Sequence, residues 1–345
     1  MNDALVNAFP LPTVLIGKDE RVVSANAHAG EIFGANMIGR HHITVLRQPG
    51  LLDAIETAFR TNSTRTATVL TTEARRDKTW HATVTPVSPD VGLLLVLEDR
   101  TDVEEAGQMR RDFVANVSHE LKTPLTAMMG FIETLLGAAK DDPGARSRFL
   151  TIMETEASRM NRLVSDLLSL NRVESEERIR PVGEIDIAGL AASVLSGLGN
   201  LATQSGVDLT SEGLEDAVMV PGDADQIQQV ITNLTENAIK YSGTGSRVRV
   251  RLETEERNPA IRGPAAVLSV EDDGDGFDAV HIPRLTERFY RIDSHRSREK
   301  GGTGLGLAIV KHIINRHRGR LRIEAAKGKG SKFSVILPLS AAPVR

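Results

Sequence analysis

The sequence contains no cysteine, and this absence excludes disulfide bonds and thiolate catalysis. Aromatic residues make up only 3% of the 345 residues, so hydrophobic cores must consist mainly of Leu, Val, Ile and Ala. A net charge of −4 gives no reason to expect direct binding to nucleic acid. The 40% hydrophobic and 26% charged content is that of ordinary globular protein, and the length indicates two or three domains.

Long apolar runs are also missing. The best candidate, Leu5–Ile16, is too short to span a bilayer and is interrupted by Pro10 and Pro12. It has no basic flank and no cleavage site, so it does not resemble a signal peptide. We therefore expect a cytoplasmic protein without a membrane span, unless an N-terminal membrane segment is missing from this sequence or a membrane partner recruits it.

Residues 1–98 alternate short β-rich runs with helical runs, which predicts a small α+β domain. The predicted strands are Thr13–Ile16, Arg21–Ser24, Thr66–Thr72, Thr79–Pro86 and Leu93–Glu98. The predicted helices are Asn26–Phe33 and Leu51–Arg60. We expect the four histidines of this region to be structural or exposed rather than ligands of a haem or other cofactor. They are His28, His41, His42 and His81.

A histidine, His119, lies on the polar face of a predicted helix. Apolar residues recur every three or four positions at Phe113, Val117, Leu121, Leu125, Met128, Ile132 and Leu135. At about 100° per residue they form one face, with His119 opposite and Thr123 one turn further on. Glu120 follows the histidine directly, but no second histidine completes the H-E-x-x-H zinc motif. Taken alone, the pattern fits an ordinary surface histidine equally well.

A second periodic helix follows the turn sequence KDDPG at Lys140–Gly144. The two helices predict an αα-hairpin over residues 113–176, and residues 99–112 predict a connecting helix that leads into it. One hairpin cannot cover the apolar faces of both its helices. We therefore expect a homodimer in which two hairpins form a four-helix bundle.

Residues 184–340 return to alternating helices and strands, which predicts an α/β domain. The predicted helices are Ala188–Gln204, Asp223–Tyr241 and Gly304–His317. The predicted strands are Val207–Ser211, Ala217–Val220, Arg247–Glu253, Ala266–Glu271, Arg320–Ala325 and Lys332–Leu337. A loop is predicted at Glu255–Pro264, which contains two prolines and a glycine.

Two stretches of this domain carry side chains suited to a nucleotide. In NLTENAIKY, Asn233 and Asn237 share a helix face with Lys240 nearby. Amide oxygens are suitable ligands for Mg²⁺, and an ammonium group can meet a phosphate. In EDDGDGF, Glu271–Phe277, a carboxylate and a Gly-x-Gly turn directly follow a strand, so that the backbone can approach a ligand closely.

Two further stretches complete the set. ERFYR occupies Glu287–Arg291, and GGTGLGL, Gly301–Leu307, opens a helix whose amide groups can seat an anion. Arg284–Lys300 contains six Lys or Arg residues, which predicts a lid over a triphosphate. Each stretch alone fits a turn or a solvated loop, but their order and spacing together predict a nucleotide site.

These motifs resemble those of the two-component sensor histidine kinases. SHELKTPL is similar to the H box of that family, NLTENAIKY to the N box, DDGDG to the G1 box, ERFYR to the F box and GTGLGL to the G2 box. The resemblance covers Asp112–Leu339, and RDFVANVSHELKTPLTAMMGFIETL is similar to the phosphate-regulon sensor subgroup. The order of elements in residues 1–98, with the pattern at Val22–Gly34, also resembles PAS domains.

The resemblance implies a multidomain fold and a phosphate acceptor. The domains would be a PAS-like sensor, a helical-hairpin dimerisation domain and an ATP-binding α/β sandwich of the histidine kinase/Hsp90-like (GHKL) type. His119 would accept the phosphoryl group, Glu120 would orient the imidazole or take its proton, and Thr123 would assist dephosphorylation of the partner. The implied cofactors are ATP and Mg²⁺, with Asn237 and Asn233 as metal ligands.

The other residues of the boxes are implied to surround the nucleotide. Lys240 and Arg291 would meet the phosphates, Tyr241 would pack near the adenine, and Asp272 would accept a hydrogen bond from the adenine amino group. The glycine loops and their neighbours would wrap the ligand. They are Gly274, Gly276, Gly302, Thr303, Gly304, Leu305 and Gly306.

The implied function is an ATP-dependent protein-histidine kinase that phosphorylates itself on His119 and then an aspartate of a response regulator, a PhoB-like receiver protein. Regulator phosphatase activity and a part in phosphate-starvation signalling are also implied. Two alternatives remain. One is an ATPase of the same fold but another class, and the other is a non-catalytic scaffold that binds a regulator.

Overall fold

The computed structural model describes residues 2–73, 76–88, 90–177, 179–292 and 302–340. The chain divides into two units, Met1–Ala115 and Asn116–Arg345, and the division falls within one long helix. None of the helices in the described ranges combines the length and apolarity that crossing a membrane requires.

The first unit is a five-stranded antiparallel sheet with helices inserted between its second and third strands. Its helices are α1 Asn2–Ala8, α2 Ala27–Phe33, α3 His42–Val45 and α4 Pro49–Thr61. Its strands are β1 Thr13–Ile16, β2 Val22–Ala25, β3 Arg65–Glu73, β4 Arg76–Ser88 and β5 Gly92–Asp99, in the order β2-β1-β5-β4-β3. Each strand pairs antiparallel with its neighbour. Leu51 and Ile55 of α4 are fully buried in the core together with Leu95 and Leu97 of β5.

A buried asparagine fixes the junction between β2 and α2. The Asn26 carboxamide oxygen accepts hydrogen bonds from the Thr13 and Ala29 amides at 3.1 and 3.0 Å. Its Nδ2 donates to the carbonyls of Phe9 and Leu11. Asn26 therefore caps α2 and joins it to β1, which explains why the predicted helix begins here.

The predicted connecting segment and the helix of His119 are continuous. Helix α5 spans Thr101–Leu136. The Asp99 carboxylate fixes its first turn by accepting from the Thr101 amide at 3.0 Å and the Thr101 hydroxyl at 2.6 Å. Pro124 lies inside the helix and has no amide hydrogen, so the carbonyl four residues earlier, that of Glu120, loses its helical donor.

Helix α6, Pro143–Glu176, returns beside α5 and confirms the predicted hairpin. Its N-cap, Asp142, accepts from the Gly144 and Ala145 amides at 2.9 Å, which places the start of the helix in the KDDPG turn. Leu163, Leu170 and Val173 are buried. Many other apolar side chains of the hairpin are exposed in the single chain. They are Leu125, Met129, Ile132, Leu136, Leu150, Ile152, Val164 and Leu168.

Beyond the hairpin the second unit is an α/β sandwich. Its helices are α7 Ile187–Ser205, α8 Ala224–Ser242 and α9 Gly306–Arg316, with a short 3-10 helix at Ala279–Arg284. Its strands are β6 Glu184–Asp186, β7 Asp208–Glu212, β8 Met219–Pro221, β9 Arg247–Asn258, β10 Gly263–Asp272, β11 Arg320–Ala325 and β12 Ser331–Pro338. The large sheet has the order β11-β12-β10-β9-β7, in which only β7 and β9 pair in parallel among the described strands, while β6 and β8 form a separate pair.

The predicted loop at Glu255–Pro264 is wrong over most of its length. Strand β9 continues to Asn258 and β10 already begins at Gly263, so the turn is much shorter. The register between β9 and β10 shifts between Gly263 and Ala265, which places Pro264 in a bulge. A proline in a bulge costs no ladder hydrogen bond, so a strand can accommodate it.

Several short elements were not predicted. These are α1, α3, β6 and the 3-10 helix, each of which is at most seven residues long. A helix this short has less than two turns, and a strand this short has fewer than two alternations of side-chain direction. Neither is long enough to show a periodic pattern in the sequence. The other predicted helices and strands are present, most of them with shifted ends, whereas β1 and β11 have the predicted bounds.

A fully buried histidine anchors the end of α9. The Nδ1 of His317 lies 2.7 Å from the Ile313 carbonyl, and its Nε2 accepts from the Asp223 amide at 3.0 Å. A carbonyl can only accept and an amide can only donate, so both bonds require the neutral ring. Burial lowers the pKa of His317 below its ordinary value, and the nearby Arg316 acts in the same direction.

We expect acid to weaken this anchor. Because the pKa of His317 is lower in the folded than in the unfolded chain, the unfolded chain binds more protons below about pH 6.5. The stability contributed by the neutral ring is therefore complete above that pH and lost as the pH falls. In melting experiments from pH 7.5 to 5.5, the stability difference between wild type and His317→Gln should narrow on acidification. A stability difference that stays constant across this range would contradict the assignment of a neutral, buried His317 ring. The control is His28→Gln, because His28 is at an exposed site.

Candidate nucleotide site

A cavity of about 370 Å³ lies in the second unit, between α8, the end of β10 and the start of α9. Its size is within the usual range for small-molecule pockets. All of the predicted nucleotide-contacting residues line it except Gly274 and Leu305. Those that do are Asn233, Asn237, Lys240, Tyr241, Asp272, Gly276, Arg291, Gly302, Thr303, Gly304 and Gly306.

Helix α8 provides the amide-bearing wall. Asn233 and Asn237 both line the cavity, as their four-residue spacing predicts. The Asn233 Nδ2 donates to the Gly306 carbonyl at 3.4 Å, which connects α8 to the first residue of α9. The Lys240 ammonium forms an ion pair with Glu236 one turn earlier on the same helix, and Glu236 also lines the cavity.

Asp272 provides a buried carboxyl group at the end of β10. Its Oδ1 accepts from the Gly274 amide at 3.0 Å, and its Oδ2 accepts from the Ser331 hydroxyl. Burial raises the pKa of Asp272 above its ordinary value, and these hydrogen bonds oppose that rise. The carboxyl group is thus held rigidly as a cavity wall.

The two glycines of the Gly-x-Gly turn have different tasks. A Cβ on Gly276, whose φ is +56°, would lie 2.2 Å from the Ala326 carbonyl oxygen, so only glycine fits here. A Cβ on Gly274 would lie 2.5 Å from the Ser242 Cα, and this residue is not in the cavity wall. The prediction that both glycines contact a ligand is therefore supported by position for Gly276, whereas Gly274 allows the backbone to pack against α8.

The glycine loop before α9 is attached to the ERFYR segment. The Phe289 amide donates to the Gly304 carbonyl at 2.9 Å, and a Cβ on Gly304 would lie 2.9 Å from the Phe289 Cα. Leu305, which the sequence analysis assigned to nucleotide contact, is instead fully buried in the core. Its amide donates to the Thr303 hydroxyl at 3.3 Å, which helps to shape the loop.

Helix α6 of the hairpin supplies a wall that the sequence analysis missed. Arg162 and Asp166, one helical turn apart, both line the cavity. The Asp166 Oδ2 accepts a hydrogen bond from the Thr303 hydroxyl at 2.7 Å. Burial raises the pKa of Asp166, while Thr303 and Arg162 lower it. In the sequence these two residues look like any polar face of a helix, so only the tertiary structure reveals them.

The three predicted catalytic residues lie together on α5. His119 is exposed, as predicted. The Thr123 hydroxyl donates to the His119 backbone carbonyl at 3.1 Å. The Glu120 side chain is only 14% exposed, and its Oε2 lies 3.0 Å from a terminal guanidinium nitrogen of Arg159 and 3.2 Å from one of Arg291.

Arg291 joins this cluster to the cavity. It lines the cavity while one of its terminal nitrogens is paired with Glu120, the neighbour of His119. Its Nε is buried and has no hydrogen-bond partner among the described residues. A buried cationic donor left unsatisfied beside a cavity is a suitable contact for an anionic group.

The predicted lid, Arg284–Lys300, is described only as far as residue 292, and residues 293–300 lie outside the described ranges, as does Gly301. In the described part, the Arg284 guanidinium stacks on the Tyr290 ring at 4.3 Å, and the Arg288 Nε donates to Glu174 of α6 at 3.0 Å. These two arginines therefore contact other side chains, whereas Arg291 alone of the described lid arginines lines the cavity.

Further ion pairs join α6 and the residues just after it to α9. The Arg316 guanidinium lies 3.0 Å from Glu176, and its Nε donates to the Ile179 carbonyl at 3.0 Å. His312 and Asn315 contact Glu177 at 2.9 and 3.1 Å. The hydrogen bond from His312 is the largest cause that lowers the pKa of Glu177, and burial opposes it.

Comparison with known protein families agrees with this geometry. Residues 109–176 match the His Kinase A (phospho-acceptor) domain, and residues 222–341 match the histidine kinase-, DNA gyrase B- and HSP90-like ATPase family. The chain belongs to the sensor histidine kinases. The second match identifies the cavity-bearing sandwich as an ATPase-type, ATP-binding domain.

Two relatives are a sensor protein and a sensor histidine kinase by name. The chain is 41% identical over 241 residues to the phosphate regulon sensor protein PhoR of Pseudomonas aeruginosa, and the match covers 70% of this chain and 53% of that protein. It is 35% identical over 247 residues to the sensor histidine kinase WalK of Bacillus subtilis, covering 72% of this chain and 39% of that one. The chain thus spans about half the length, or less, of these two relatives.

One solved structure resembles the kinase over nearly its full length. The histidine kinase ThkA, in complex with the response regulator protein TrrA, matches with a TM-score of 0.53 at 21% identity and covers 99% of both chains. This likeness concerns the fold.

We expect Asp166 to support nucleotide binding through Thr303. Asp166→Ala removes the acceptor of the Thr303 hydroxyl, and loss of such a hydrogen bond costs about 1 kcal/mol, roughly fivefold in the Kd for ATP. Ser169→Ala is the matched control, because the Ser169 hydroxyl also bonds from α6 to the sandwich, at Gln229, but does not line the cavity. Isothermal titration with a non-hydrolysable ATP analogue measures the Kd of each variant. An equal loss of affinity in Asp166→Ala and Ser169→Ala would refute the role of Asp166.

Proposed function

We propose that this kinase uses ATP to phosphorylate His119 and then transfers the phosphoryl group to an aspartate of a separate response regulator. The observation that carries the proposal is the contact between Glu120 and Arg291. One residue adjoins the exposed imidazole and the other lines the nucleotide cavity, so the acceptor and the cavity are one ion pair apart. A non-catalytic scaffold would have no need of this connection.

The proposed step is an in-line phosphoryl transfer. The imidazole lone pair of His119 attacks the γ-phosphorus, the N–P bond forms, and the bond from phosphorus to the bridging oxygen of ADP breaks. Glu120 orients the ring or takes its proton. Arg291 would stabilise the negative charge on the phosphates, because it lines the cavity and its Nε has no hydrogen-bond partner among the described residues.

The donor set of the cavity fits a magnesium ion. Asn233 and Asn237 present amide oxygens on one helix face, and Mg²⁺ prefers a few protein oxygens together with substrate phosphates. We propose these two residues as its protein ligands. Mg²⁺ would neutralise phosphate charge. The remaining contacts are proposed by position: Lys240 and Arg291 to phosphates, Asp272 to the adenine amino group, and Tyr241 beside the adenine.

Labelling with [γ-³²P]ATP tests the activity. Wild type with Mg²⁺ should acquire acid-labile, base-stable label, and His119→Gln should acquire none, because the only nucleophile in the proposed step is removed. His28→Gln, at another exposed histidine, should be labelled like wild type. Label that persists in His119→Gln would contradict the proposal. Steady ATP hydrolysis without phosphoenzyme would favour another class of ATPase, and absence of ATP binding at millimolar concentrations would favour a scaffold.

The exposed apolar residues of the hairpin support a homodimer. Leu136 and Leu168 are 75% and 69% exposed in the single chain, and a protein seldom leaves so many large apolar side chains of one hairpin uncovered. A second hairpin packed on this face would form the predicted four-helix bundle, with residues 113–176 as the dimerisation and phosphotransfer domain.

A charge on this face should separate the dimer. Leu168→Glu places a carboxylate in the proposed bundle core, where burial of an unpaired charge costs several kcal/mol, so light scattering should report a monomer. Val280→Glu is the matched control, because Val280 is equally exposed, at 68%, but lies on the 3-10 helix. A Leu168→Glu protein that remains dimeric would place the interface elsewhere.

We further propose the phosphate-starvation pathway as the setting, on the basis of the similarity to PhoR of Pseudomonas aeruginosa. The partner would be a PhoB-like receiver protein, and the complex between ThkA and TrrA provides a precedent for such pairing in a related fold. Thr123 would assist phosphatase activity toward that regulator. We expect these reactions in the cytoplasm, where ATP is available.

The first unit is proposed to contain a PAS-like sensor domain over residues 1–98, which the connecting helix of residues 99–112 joins to the hairpin. In support, its helices α2, α3 and α4 are inserted between the second and third of five antiparallel strands. The first strand, β1, pairs with the last, β5, at the centre of the sheet. Residues 184–340 are then the catalytic ATP-binding domain.

A further inference from the structure

Three side chains of the first unit bring together nitrogen and oxygen donors suited to a metal. One ring nitrogen each of His41 and His42 and one carboxylate oxygen of Glu20 lie within 4.8 Å of one another. Glu20 is in the turn between β1 and β2, while the histidines lie at the start of α3. Ligand atoms in a tetrahedral site are about 3.3 Å apart, given metal–ligand distances near 2.0 Å, so modest side-chain rotation would close the set.

The backbone holds this cluster in place. The Glu20 carbonyl accepts from the His42 amide at 2.9 Å, and an isolated antiparallel bridge pairs Arg21 with His41. The His41 and His42 rings are stacked with centroids 4.8 Å apart, although adjacent residues in extended chain usually point to opposite sides. The turn and the histidine pair are thus fixed next to each other.

A backbone carbonyl orients the His42 ring in a way that suits ligation. Its Nδ1 lies 3.0 Å from the Glu20 carbonyl, which can only accept, so Nδ1 carries the hydrogen and Nε2 carries the lone pair. A backbone carbonyl that orients the ring in this way is the usual second contact of metal-ligating histidines. The ring is 1% exposed, and its Nε2 has no hydrogen-bond partner among the residues that the structure describes.

The other two side chains have the freedom that closure requires. The side chains of His41 and Glu20 are 36% and 50% exposed and lie 3.1 Å apart. As an exposed ion pair they would add little to stability. What distinguishes them from an ordinary surface pair is a third ligand atom, on the buried His42 ring, within 4.8 Å of theirs.

We propose that Glu20, His41 and His42 bind a divalent transition-metal ion, with Zn²⁺ as the best match. Two imidazoles and one carboxylate suit Zn²⁺, and three protein ligands leave a fourth position for water. Ligation that preserves the bond to the Glu20 carbonyl uses Nε2 of His42. A bound ion would connect the β1–β2 turn to α3, so occupancy would change the rigidity of the first unit, and this gives the unit a candidate stimulus.

Titration of the full chain with Zn²⁺ tests the site independently of the kinase activity. We expect one ion per chain at this site, with Glu20→Gln and His41→Asn each weakening its affinity at least about tenfold. Zn²⁺ should also raise the melting temperature at which the first unit unfolds in wild type, and it should not do so in these variants. With Co²⁺ as probe, visible absorption of tetrahedral intensity should appear in wild type and not in Glu20→Gln or His41→Asn.

The chain offers a matched control. His28 and Glu31 form another exposed histidine–glutamate pair in the same unit, with their atoms 4.0 Å apart and no third partner in the described residues that completes a metal-binding set. The double variant His28→Gln, Glu31→Gln should therefore bind Zn²⁺ like wild type. The proposal is overturned if wild type binds no Zn²⁺, if Glu20→Gln and His41→Asn leave binding unchanged, or if the control loses binding to the same extent. His42→Asn adds a direct test in protein whose circular dichroism matches wild type.

Discussion

The second unit depends on the neutralisation of one carboxylate. Glu120 must lie beside the exposed His119, yet its own side chain is largely buried, and removing a partner from a buried ion pair is costly. Arg159 from the same hairpin and Arg291 from the nucleotide cavity both form ion pairs with the Glu120 carboxylate. Two glutamates of α6 also form ion pairs with arginines of the sandwich: Glu174 with Arg288, and Glu176 with Arg316. Acidic side chains of the hairpin and basic side chains of the sandwich thus set how the two parts meet.

Much of the fold could be predicted, because long periodic elements are encoded locally. The hairpin helices repeat an apolar residue every three or four positions over more than thirty residues. The long strands β9 and β10 of the sandwich carry alternating or consecutive apolar residues. The errors lie where tertiary context outweighs local preference. Pro264 reads as a loop residue, but a bulge admits it to β10. α3 has only four residues, too few for a periodic signal.

The candidate site was predictable to the extent that it consists of contiguous motifs. The asparagines of α8 converge with Asp272 and the loop before α9 because each motif lies at the end of a strand or on a helix face. Asp166 and Arg162 were not predictable, since their relation to Thr303 spans more than 130 residues of sequence. Glycines were also ambiguous: Gly276 and Gly274 look alike in the sequence but only the first lines the cavity.

Pro124 gives α5 a mechanical property that its length alone would not provide. Where a helix already lacks one backbone hydrogen bond, it can bend with less further loss of hydrogen bonding than elsewhere. Because the carbonyl that Pro124 deprives of its helical donor belongs to Glu120, the site of bending adjoins His119, the proposed phosphate acceptor. Bending of the helix at this point would move His119 and the Glu120 carboxylate towards or away from the cavity without unwinding either half, so that a small mechanical input would change the distance for the proposed phosphoryl transfer.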